Sequence, residues 1–107
     1  MKKLFRISIL GTSYTFYSSK REESDDLEDC DGYTDTISKK IFIAENADCK
    51  NETIVHEIVH AFLYESGLDI ESWASNEEIV DWIALQLDKV SKVSMKALRK
   101  FNRKRNQ

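Results

Sequence analysis

A chain of 107 residues with 41% hydrophobic and 33% charged side chains and a net charge of −3 has room for one domain with a modest core, and not for two. No apolar run approaches the roughly 18 residues of a membrane-spanning helix, so a soluble globular protein without a membrane partner is expected. The two cysteines, Cys30 and Cys49, lie far apart in a chain without an export signal, which predicts reduced thiols in a cytoplasmic protein.

The first stretch, "MKKLFRISILGTSYTF", is interrupted by Arg6 and has no small-residue cleavage site, so it reads as a strand and not as a signal peptide. Phe5, Ile7 and Ile9 alternate on one face, Gly11 breaks the run, and "YTFYS" resumes it, which predicts a hairpin. Seven carboxylates between Glu22 and Asp31 then read as a solvated loop. Calcium is excluded there, because "DCDG" lacks the ordered ligand spacing and closing glutamate of a calcium loop. "GYTDTISKKIFIAE" alternates again around a turn near Ser38 and Lys39, with Ile41 and Ile43 facing one way.

From about Asp48 the period becomes helical. Ile54, Val55, Ile58, Val59, Ala61 and Phe62 form a broad stripe centred near Val55, Ile58 and Phe62, and Gly67 stops the helix. A second helix is expected from Ser75, where Ser75 and Glu78 make a capping box, to about Val90, and a short third near Ser94–Phe101. Six Lys or Arg residues from Lys96 onward read as a basic tail; no aromatic platform or recognition motif accompanies them, so nucleic acid is not the expected partner. Strands followed by helices predict a single α+β domain over 1–107, β-rich to about 45, helical over about 48–101, with a basic tail at 102–107.

The only histidines, His56 and His60, stand four apart with Glu57 between them. At about 100° per residue they share a face with Glu57 and Tyr64, opposite the apolar stripe. Random placement would give that spacing roughly once in fifty, and two imidazoles one turn apart can reach one ion. A catalytic zinc needs a third protein ligand. Leu63 and Ser66 stand where a downstream glycine and histidine would complete a longer histidine motif, so the third ligand must be an acid. Glu65 is about 140° round the helix from His60, and Asp69 and Glu71 sit in a loop without an anchor. On the second helix Glu77 is about 95° from the centre of the apolar stripe, at the edge of the buried face, whereas Glu78 is about 165° away and points at solvent. Asp81, one turn beyond Glu77, is placed to accept the N–H of a ligating histidine.

"HEIVH" followed by "NEEIVD" resembles the zincin metallopeptidases that use a downstream glutamate as third ligand, the thermolysin-like pattern included. Together with "DCDGYTDTISKKIFIAE", these segments resemble small phage- and prophage-encoded zincins related to the ImmA/IrrE metallopeptidases, over most of residues 30 to 90. The resemblance implies a minimal zincin: a small antiparallel or mixed sheet packed on an active-site helix and a second, ligand-bearing helix. It implies a zinc-dependent peptidase acting on a protein substrate, a repressor among the candidates, in the cytoplasm of a bacterial host. In that mechanism His56, His60 and Glu77 hold Zn2+, Glu57 is the general base, and Asp81 orients a histidine. Tyr64, Tyr33 and a backbone N–H are the candidate donors to the oxyanion. The strand "KIFIA", if at a sheet edge, would take an extended substrate by β-addition. The alternative class is a non-catalytic module of the same fold that acts by gripping a partner.

Overall fold

The structure is a computed structural model and describes residues 1–68 and 75–105. Four strands, β1 (Lys2–Ile9), β2 (Thr12–Ser19), β3 (Gly32–Asp35) and β4 (Lys40–Ala44), precede two helices, α1 (Lys50–Glu65) and α2 (Glu77–Arg105). The domain is α+β, and its sheet is mixed, in the order β1-β2-β4-β3, with β2 and β4 parallel and the outer pairs antiparallel. β4 therefore lies inside the sheet, and "KIFIA" is not the edge strand. The edges are β1 and β3, because the chain leaves β2, passes over to β3 and returns antiparallel as β4 between them.

The first hairpin turns at Leu10 and Gly11, whose φ values of 50° and 87° are the doubly positive pair of a type I′ turn. The second turns around Asp35, whose carboxylate accepts the N–H groups of Ile37 and Ser38. Ile9, Tyr14, Phe16, Ile41 and Ile43 form the buried face of the sheet, against Ala61, Ile54 and Ile58 of α1. Phe5 and Ile7 share the face of Ile9 but remain 41% and 42% exposed, because α1 makes few contacts with β1 and leaves the far end of that strand open. Phe5 is partly sheltered by stacking on Phe16.

The acidic segment is more than a solvated loop. It forms two short 3-10 turns, and Leu27 between its carboxylates is fully buried with Ala44 and Ala47. Arg21 organises it by donating to the carbonyls of Leu27 and Cys30 and to Asn46.

α1 ends in a Schellman motif. The N–H of Gly67, at φ 90°, reaches the carbonyl of Tyr64, and the N–H of Leu68 reaches that of Leu63. The expected second and third helices are one continuous α2, since no glycine or proline interrupts the segment between them. The side chain that accepts the first free N–H groups of α2, from Glu78 and Ile79, belongs to Asn76 and not to Ser75. Val80 is buried where α2 starts across α1, but beyond Leu85 its apolar residues are exposed. No described helix is long and apolar enough to cross a membrane.

Candidate metal centre

The site forms where α1, β3 and the first turn of α2 meet, along a cleft of about 1030 Å³. The sheet fixes the rotation of α1. Ile54, Ile58 and Ala61 pack on the core, which turns His56 and His60 toward α2, half-buried. Their Nε2 atoms stand 3.1 Å apart. Glu77, the first residue of α2, brings Oε2 to 2.9 Å from Nε2 of His56 and Oε1 to 3.1 Å from Nε2 of His60. Asp81, one turn later, brings Oδ1 to 2.6 Å from Nδ1 of His56.

These three side chains, His56, His60 and Glu77, are a group that could hold a metal ion, with ligand atoms within 4.8 Å of one another. Two observations test the fit. With metal–ligand bonds of about 2.0–2.1 Å, the edge of a tetrahedron is about 3.4 Å, only a few tenths longer than the separations here. The second is the chemistry of the donors. A proton on Nδ1 of His56, shared with Asp81, leaves a lone pair on Nε2 facing the carboxylate of Glu77 and the second imidazole. Acceptors so close together suit a proton or a metal ion among them.

Glu57 departs from the expected arrangement. It does not lie on an exposed polar face opposite the stripe; it is 5% exposed, packed beneath β3. Of the expected stripe centre, Val55, Ile58 and Phe62, only Ile58 packs on the core; Val55 and Phe62 are exposed, and the buried arc of α1 lies about a quarter-turn away. Two residues of β3 make the burial possible. Thr34 donates its hydroxyl to Oε1 of Glu57 at 2.8 Å, with the Glu57 carbonyl also in reach. At Gly32 a Cβ would stand 2.7 Å from Thr53 and 3.0 Å from Glu57, so only glycine lets the strand approach so closely. Burial pushes the Glu57 carboxyl up; Thr34 and the two imidazoles pull it down without cancelling that, and Glu77 adds to the rise. Its Oε2 lies 3.9 Å from Nε2 of His56.

Sequence reasoning missed Thr34 and Gly32, since a threonine in an alternating strand and a glycine at its start are ordinary there. Tyr64 lines the cleft, with the Lys39 ammonium 4.9 Å from its ring centre. Tyr33 also borders the cleft, but it alternates with Gly32 and Thr34 and so is directed to the face of β3 opposite Glu57. Burial, Asp26 and Asp35 push its phenol up. Glu65 is engaged elsewhere: it accepts from Thr12, Tyr14 and Lys39, and the Lys39 bond leads in holding its carboxyl low. Glu78 is exposed, and Asp69 and Glu71 lie outside the described residues. No family model matches the chain, and no curated protein or solved structure matches it.

Proposed function

We propose that this chain is a zinc-dependent peptidase acting on a protein substrate, with His56, His60 and Glu77 as ligands and Glu57 as general base. The observation that carries the reading is the convergence of those three side chains beside a buried glutamate, on the wall of an open cleft. Zinc, when bound, supplies a Lewis acid that polarises a carbonyl and acidifies water. The rest falls to the chain. Asp81 holds the Nδ1 proton of His56 and so presents Nε2 to the ion. Thr34 occupies Oε1 of Glu57, which leaves Oε2 to take a proton from water and return it to the leaving amine. A carboxyl raised by burial holds that proton more firmly between the two transfers. The outer edge of β3 offers backbone groups to an extended substrate, and Tyr64 is the candidate donor to the oxyanion. The resemblance of the motifs to phage-encoded zincins supports a repressor as substrate and the bacterial cytoplasm as location.

Protein purified with zinc should carry about one ion per chain by elemental analysis. The loaded wild type should cleave candidate host and phage proteins, while Glu57→Gln keeps its zinc and loses roughly a hundred- to ten-thousandfold in rate. A protein that retains no transition metal would overturn the reading.

One observation favours the non-catalytic alternative: the apolar residues of α2 from Leu85 to Leu98 are exposed, as in a helix made to grip a partner. That reading gains if no form of the protein cleaves, while Glu57→Gln supports partner binding and phenotype as fully as wild type.

A further inference from the structure

The start of α2 shows which way its apolar stripe faces. Val80 is buried and Ile79, Ile83, Ala84 and Gln86 are half-buried, whereas residues 87–103 are exposed throughout. At about 100° per residue, Leu87, Val90, Ala97 and Leu98 fall within about 60° of the centre of that covered face, with Val93 at its margin. The stripe thus continues the face that meets the domain, past the point where the domain ends. Leu87, Val90, Val93 and Leu98 are 49% to 69% exposed. Lys89, Lys92, Lys96, Arg99, Lys100 and Arg103 all lie more than about 100° away, so no charge up to Arg103 interrupts the stripe. The arm from Leu87 to Arg105 is about 28 Å long, a length at which a helix in water is marginal without an apolar partner.

Shape and charge decide what can cover it. The domain stands on the side that the stripe faces, so a flat surface such as a bilayer would meet the domain before the stripe. A second arm is narrow enough to lie there. Two arms fit stripe to stripe only when antiparallel, since in a parallel pair each domain would occupy the place of the other arm. The charges favour the same orientation. Residues 1–87 carry 18 Asp or Glu against 8 Lys or Arg, while Lys89 to Arg105 carry 8 Lys or Arg and no acid. Antiparallel pairing brings the basic end of each arm to the acidic domain of the other copy; parallel pairing would set two basic ends side by side.

We infer that two copies of this chain form a two-fold symmetric dimer, arm on arm and antiparallel, with the basic end of each α2 against the domain of its partner. Neither zinc nor peptidase activity is needed for this pairing.

Sedimentation of the full chain from about 5 to 200 μM tests it, and should show monomer passing into dimer. Val90→Ser/Leu98→Ser, at two exposed positions, should weaken the dimer at least roughly tenfold. Lys96→Gln/Lys100→Gln should weaken it too, whereas in a parallel pair it would relieve repulsion and strengthen it. Cross-linking reads the orientation directly. With Cys30 and Cys49 replaced by serine, Ser94→Cys, near the middle of the arm, should oxidise to a linked dimer, and Leu87→Cys, at its domain end, should not. A chain still monomeric at the highest concentration, a dimer indifferent to Val90→Ser/Leu98→Ser, or linkage through Leu87→Cys overturns the inference. Binding of a monomeric chain to vesicles of phosphatidylserine and phosphatidylcholine also overturns it, and assigns the stripe to an anionic lipid surface instead.

Discussion

Asp81 touches neither Nε2 of His56 nor Glu57; its carboxylate faces Nδ1 of that imidazole at 2.6 Å, where it would hold a proton. Asp81→Ala should therefore lower zinc affinity by roughly ten- to a hundredfold in competition with a chelator, while the fold stays intact by circular dichroism. Unchanged affinity would mean that the 2.6 Å contact does not orient the ring. Glu65, the last residue of α1, illustrates a different use of a carboxylate. It gathers Thr12, Tyr14 and Lys39, which ties β2 and the second turn to the end of α1. Its pKa is lowered in the folded state from an ordinary 4.5, mainly by Lys39, so its stabilisation is present above about that pH and is lost as pH falls through the lowered value. Glu65→Gln should lower Tm at pH 7, by about 1–3 kcal/mol of stability, and the gap to wild type should narrow on acidification below pH 4.5. A gap constant with pH would remove the charge from the explanation.

The elements owe their ends to single residues, and one of those ends carries a ligand. Asn76 accepts the N–H groups of Glu78 and Ile79, so it fixes the first turn of α2, where Glu77 stands. Asn76→Ala should cost about 1 kcal/mol of stability and should also weaken zinc binding, because a frayed first turn releases Glu77. Zinc affinity equal to wild type, measured by the same competition, would show that Glu77 is held from elsewhere. The other end of α2 is governed differently. At about 1.5 Å per residue its 29 residues extend about 43 Å, and the long axis of the molecule, 61 Å against 28 and 26 Å, reflects that projection. Helical periodicity runs on through Ser91 to Val93 unbroken, so a break there was an expectation without a breaker. Past the point where α1 ceases to support it, the helix draws on local propensity and on the i,i+4 pair of Asp88 and Lys92.

At the scale of the whole molecule, the histidines and Glu77 stand between two helices that also pack on each other, with Val80 buried where α2 starts. A metal bound there would be a cross-link across the connection, and ligand linkage gives about 2.7 kcal/mol at a hundredfold excess over Kd. Zinc should therefore raise Tm of the wild type and of Glu78→Ala, while Glu77→Ala should lose most of that rise; equal shifts in both variants would contradict the placement of Glu77. The α+β class, the span of α1, its glycine stop and the pairing of His56 with His60 were legible in the sequence, because each depends on the angle a residue makes about its own helix or strand. The same arithmetic separated Glu77 from Glu78, and the structure does set Glu77 beside both histidines, with Asp81 one turn on. What lies across from a residue is not a property of its own element. Hence only the tertiary structure decided that β3 and not β4 forms the edge beside the cleft, that Glu57 is buried, and that Gly32 and Thr34 make room and a hydrogen bond for it. Periodicity reports a side chain's direction, whereas burial depends on which other segment the chain brings to meet it.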